Sequence, residues 1–213
     1  MTRTAASLAA TRLAAAGLAA MPGLAFAHGL SDAGGMGGLA GFYRGLLHPV
    51  AVPAHLLGLL ALALFHEQQG PGGAALALPR IAAGCAVGLA LAVPDAGIGI
   101  QMLLFGAIAL MGIVIAAAPR TPPAVAWMLT TTIAFAIVLD SAPDVPAVRD
   151  RLAALAGTSI AISAGFVWIS TLLACLHRPW QRIGIRVVGS WTSAWAILIL
   201  GLAAGGHLTG AAT

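Results

Sequence analysis

The chain has 213 residues, of which 60% are hydrophobic and 8% charged, with a mean hydropathy of +0.99. That profile lies outside the range of soluble globular domains and implies an integral membrane protein. The net charge of +4 comes from ten arginines, no lysine and six acids; the arginines are scattered near the ends of apolar runs, and without a basic stripe to neutralise phosphates nucleic-acid binding is excluded as a function class.

Residues 1–27, MTRTAASLAATRLAAAGLAAMPGLAFA, place Arg3 and Arg12 ahead of a short apolar segment from Leu13 to Ala20, and Ala25-Phe26-Ala27 fits an A-x-A cleavage site. The stretch reads as a secretory signal peptide, the other reading being an uncleaved first membrane helix. Cleavage would make His28 the mature N-terminal residue, where an α-amine beside an imidazole suits copper or nickel. Residues 28–44 are rich in glycine, which costs backbone entropy in a helix, so they are expected to form an exposed or loosely docked periplasmic arm.

Residues 45–213 then carry six apolar runs, at 45–66, 76–94, 98–118, 124–140, 152–176 and 187–205. Each is close to the roughly 20 residues that a bilayer requires. The breaks EQQGPGG, VPDAG, APRTPP, DSAPDVPAVRDR and HRPWQR combine proline or glycine with charge and belong at the interfaces, because backbone in lipid cannot be left unpaired. The expectation is an all-α, polytopic transmembrane bundle of about six helices, set in the bacterial inner membrane with the mature N-terminus periplasmic. Arg80, Arg120, Arg178, Arg182 and Arg186 then fall on the cytoplasmic side and Arg44, Arg149 and Arg151 outside, in keeping with the positive-inside rule. Gly84-x-x-x-Gly88 and Gly201-x-x-x-Gly205 read as close helix contacts. Cys85 and Cys175 read as small packing residues, not a disulfide framework.

Candidate chemistry starts at HPVAVPAH. On a continuous helix His48 and His55 share a face but are about 10 Å apart along the axis, too far for two imidazoles to chelate one ion at nitrogen distances near 2.1 Å. Either the helix is distorted or other ligands take part, and Pro53, which clashes with the carbonyl of Pro49, supplies a cause of distortion. His48 reads either as a site residue or as an interfacial histidine at a helix start; His55, deeper, is a functional candidate as an intramembrane ionisable group. The other candidate metal ligands on the same side are His28, Asp32 and Asp140, with Asp95, Asp144 and His207 nearby. Asp140 follows the polar turn Thr130-Thr131-Thr132 and either points into the bundle or joins Asp144, Arg149, Asp150 and Arg151 in a solvated loop. His66, Glu67 and His177 read as interfacial caps at the opposite face, an exit site being the minority reading. With no nucleotide-binding loop, nucleophile elbow, HExxH or CxxC motif, an enzyme is not expected.

The leader ending in AFA-His, the glycine-rich arm, GFYRGLLHPVAVPAHLLGLLALAL and the C-terminal RPWQRIGIRVVGSWTSAWAILIL together resemble the HupE/UreJ membrane proteins, which are associated with nickel or cobalt uptake for hydrogenase and urease. The resemblance implies His48, Pro49 and His55 as counterparts of that family's first-helix pattern of His-Pro followed by Asp-His. The acid before the second histidine is replaced by Ala54, and the family's later His-Gly segment by IVLDSAPD, where Asp140 and Asp144 are loose substitutes. The function expected is an inner-membrane permease or facilitator for a divalent transition metal, nickel or cobalt first and copper also considered, with no permanently bound cofactor. The other reading is a non-transporting accessory subunit that binds a metal or scaffolds a partner complex. Expected partners are the bilayer, the metal ion and a second copy or an accessory protein.

Overall fold

A computed structural model of the chain describes residues 37–70, 73–91, 97–176 and 179–210, without the side chains of 37, 179 and 206–210. Among these residues there are seven helices and no strand: α1 (Gly37–Ala51), α2 (Pro53–Gln68), α3 (Gly73–Leu91), α4 (Gly97–Ala117), α5 (Pro123–Asp140), α6 (Val148–Leu173) and α7 (Pro179–Gly210). Proline opens α2, α5 and α7, where its missing N–H is one that a helix start leaves free and its φ is already helical. Helices α3 to α7 are each long and apolar enough to cross a bilayer, and the α1–α2 pair, bent by 71° at Val52, makes the number six when counted as one span.

Helix α2 is the centre of the bundle and touches all six others. Its residues from Ala61 to His66 are buried on every side, which is how a helix apolar all round is accommodated. The outer helices close around it in pairs that rely on absent side chains. On α3, a Cβ at Gly84 would collide with the Thr131 carbonyl of α5, and one at Gly88 would sit 2.7 Å from Val138. On α4, Gly112 packs on Gly189 and Ser193 of α7, and Ser193 Oγ donates to the Ala109 carbonyl at 3.0 Å.

Four expectations need correction. The stretch read as a loose arm is helical from Gly37, because Gly41 and Gly45 let α1 lie directly on the α6 backbone at Asp150 and Ala154; that packing outweighs the entropy of ordering glycine. The break at HRPWQR is shorter than expected, since Pro179 starts α7 and takes Arg182 and Arg186 into the helix. A Cβ at Gly201 would meet nothing within 4 Å, so that glycine, unlike Gly84, makes no close helix contact among the described residues. Cys85 is buried as a packing residue, whereas Cys175 is exposed beyond the end of α6.

The arginines divide between the two ends of the bundle. Arg182 and Arg186 line a cleft with Glu67 and Pro119, while Arg44 borders Asp140 and Pro143 at the opposite end.

Candidate metal site at the broken first span

Two prolines shape the site. Pro49 has no N–H, so the carbonyl of Gly45, four residues back, loses its helical partner; Thr158 Oγ1 on α6 donates to that carbonyl at 3.1 Å instead. Pro53 withholds the same bond from Pro49. At Val52 the backbone turns extended, with φ −98° and ψ 114°, and the Val52 carbonyl takes up the N–H groups of His55 and Leu56 as the new helix starts.

The bend changes the relation of the two histidines. Across it, the rings of His48 and His55 have centroids 5.2 Å apart, instead of two helical turns. Two imidazoles that share one ion, at nitrogen distances near 2.1 Å and angles of about 90–110°, have centroids roughly 4.5–5.5 Å apart. The spacing therefore fits a shared ion, which a straight helix excludes.

His55 is fully buried, and its Nε2 lies 2.8 Å from Oδ2 of Asp140, at the end of α5. A carboxylate only accepts, so Nε2 carries the proton and donates. In the neutral imidazole Nδ1 then keeps its lone pair, and that nitrogen is buried without a hydrogen-bond partner among the described residues. A histidine held from behind by a carboxylate, with its other nitrogen free, is the arrangement that orients metal-ligating imidazoles. Gln101 of α4 approaches the same carboxylate. Outside lies a cleft of about 100 Å³, lined by Arg44, Gly45, His48, Asp140, Ser141 and Pro143 among others.

Of the candidate ligands, the structure thus brings together His48, His55 and Asp140. Asp140 faces the bundle and not a solvated loop. Asp144 is exposed, and Asp150 lies in the first turn of α6 beside Gly38 and Gly41. His28, Asp32, Asp95 and His177, with the predicted leader, lie outside the described residues, as does the His207 side chain. Among the described residues no three His, Cys, Asp or Glu side chains are grouped to hold one ion, so the site is two imidazoles backed by a carboxylate and not a closed cage.

His66 is not the interfacial cap expected of it. It is 1% exposed, its Nε2 is 3.0 Å from Thr130 Oγ1, and it stands edge-on to the rings of Phe65 and Phe166 at 5.0 and 5.9 Å. The sequence signal for this was its place three helical turns beyond His55, on the same face of α2. Thr158, which satisfies the Gly45 carbonyl, had no local signal, being far away in the chain.

No curated protein and no solved structure matches the chain. The family model described as HupE / UreJ protein matches residues 15–203, which takes in α1 to α6 and most of α7. With the bent His-Pro span at its centre and that match over most of its length, the chain belongs to the HupE/UreJ family.

Proposed function

We propose that the protein is a membrane permease or facilitator for a divalent transition metal ion, with nickel or cobalt as the first cargo and copper as a further one. The observation that carries this reading is His55, whose Nε2 is held by Asp140 while its Nδ1 is buried and unpartnered beside the His48 ring. Buried polar atoms are ordinarily satisfied, and one left free with its lone pair needs a reason. A metal ion arriving through the His48 cleft supplies one. Imidazole nitrogen suits nickel, copper and zinc better than calcium or magnesium.

In this reading the His48 cleft faces the periplasm of a bacterial inner membrane, following leader cleavage after Ala27, and the Arg182 and Arg186 end faces the cytoplasm. Further ligands are needed beyond the two imidazoles, and His28 and Asp32 are the sequence's candidates for them. Movement is passive or gradient-driven.

Uptake of radiolabelled nickel or cobalt into proteoliposomes tests the proposal. Wild-type protein is expected to carry flux above protein-free vesicles, and His48→Ala, His55→Ala and the double variant to bring it to background. Flux unchanged in all three would remove these residues from the site. Metal binding with no flux in the wild type would instead assign the accessory, non-transporting role.

A further inference from the structure

Helices α2 and α5 run antiparallel, and side-chain hydrogen bonds join them near both ends of α2. At one end His55 meets Asp140 at 2.8 Å; at the other His66 meets Thr130 at 3.0 Å. The two histidines share one face of α2 and are roughly 16 Å apart along its axis. Between them the seam is apolar. Gly58 faces Ile137, Ile133 and Ile108, whose methyl carbons lie 3.2, 3.3 and 3.6 Å from the position of a Cβ, and Leu59 and Leu62 are buried alongside.

Beyond His66 the bundle opens. A cleft of about 660 Å³ is lined by Glu67, Gly73, Phe166, Ser170 and Arg182 among others, and a second of about 400 Å³ shares Glu67, Gly70, Leu176 and Arg182 with it. Phe166 connects cleft and histidine, since it lines the cleft and its ring meets that of His66. Among the described residues two buried polar atoms here make no hydrogen bond within ordinary geometry, Nδ1 of His66 and Oγ of Ser170, and the backbone of Gly73, which lines the cleft, also acts on the His66 imidazole. Ser170 is 6% exposed and lines the cleft.

We infer that His66 is a second station for the divalent metal ion, reached from His48 and His55 along the α2–α5 seam and opening past Phe166 into the cleft that Glu67 and Ser170 line. The inference rests on the carrier reading and extends it to a second site. Gly58, Ile133 and Ile137 are the gate between the stations. Arg80 of α3, which stacks over Trp127 at 5.8 Å and acts electrostatically on the same imidazole, repels a divalent cation and makes the station weak. Weak holding is what release requires, because a conducted ion must bind well enough to enter and poorly enough to leave.

The test compares Ni²⁺ and Cd²⁺ flux in proteoliposomes containing the full chain, with Ni²⁺ binding to the detergent-solubilised protein measured in parallel. His66→Gln keeps a hydrogen-bonding side chain but loses the imidazole; Ni²⁺ flux is expected to fall at least tenfold while binding at the outer site is unchanged. His66→Cys exchanges a borderline ligand for a soft one, and the ratio of Cd²⁺ to Ni²⁺ flux is expected to rise at least tenfold. Thr130→Val removes the hydroxyl partner and leaves the imidazole, so flux is expected within about threefold of wild type with the metal ratio unchanged. The inference is overturned if His66→Gln carries Ni²⁺ at the wild-type rate, if His66→Cys lowers both metals alike, or if Thr130→Val loses as much flux as His66→Gln. Wild-type protein without flux overturns the carrier reading itself, a result distinct from any of these.

Discussion

Replacing Asp140 separates its part in metal binding from its part in holding the bundle together. In Asp140→Asn the amide oxygen still accepts from His55 Nε2, which lies 2.8 Å from the present carboxylate, but the charge is gone. Charge-assisted hydrogen bonds are roughly twice as strong as neutral ones, so the fold should lose about 1 kcal/mol. Metal affinity should lose more, because removing the group that orients a ligating histidine lowers affinity about 10–100-fold, or roughly 1.4–2.7 kcal/mol. Asp140→Ala removes the acceptor altogether and leaves the N–H of a fully buried imidazole unpaired, which costs about 1–3 kcal/mol of stability. Isothermal titration with Ni²⁺ in detergent gives the affinities, and thermal unfolding followed by circular dichroism gives the stabilities. The expected order is wild type, then Asn, then Ala in stability, with both variants far weaker in metal binding. Asp140→Asn binding Ni²⁺ as tightly as wild type would refute the reasoning.

Thr158→Val tests the bend itself: it keeps the shape but strands the buried Gly45 carbonyl that the hydroxyl now satisfies at 3.1 Å, and thermal unfolding is expected to report a loss of about 1–3 kcal/mol. Ala118, after the end of α4, holds a left-handed φ of 50°. Ala118→Gly is therefore expected to stabilise by about 1 kcal/mol in the same assay, the strain being worth about 1–2 kcal/mol for a residue with a Cβ. Initial uptake rates measured between about pH 5 and pH 8 are expected to fall on acidification, because a protonated imidazole has no lone pair for a metal. A rate that rises as pH falls would remove imidazole ligation from the account.

The number of spans, their breaks and the distortion at Pro53 are legible because hydropathy and proline act locally. Where the bend leads is not: the 5.2 Å approach of His48 to His55 depends on Val52 turning extended, and proline only removes a hydrogen bond without choosing the new direction. Asp140 is recognisable as an acid at a helix end, but its partner is 85 residues away in sequence and follows from how α5 packs on α2. The helix at 37–44 was hidden for a similar reason, since glycine disfavours a helix in isolation and favours one against an α6 backbone close enough to exclude a Cβ. His66 reads as an interfacial cap because an apolar run ends there, whereas α2 is the central helix and its end is covered by Phe166 and Thr130.

The place of the acid has a mechanical consequence. The first-helix pattern that this chain resembles has its carboxylate immediately before the second histidine, on the same helix, where acid and imidazole move as one body. Here that position is Ala54, and the carboxylate that meets His55 comes from α5. Helix α5 also carries Ile133 and Ile137, which fill the seam at Gly58, and Thr130, which meets His66. Acid, plug and far contact thus lie on one rigid helix, all facing α2. In the proposed carrier, a change in charge at the His48–His55 site would act on α5 through Asp140, and a displacement of α5 along or away from α2 would move the plug and the Thr130 contact in the same step. Moving the acid off α2 turns a local ligand into a link between the two helices that close the seam.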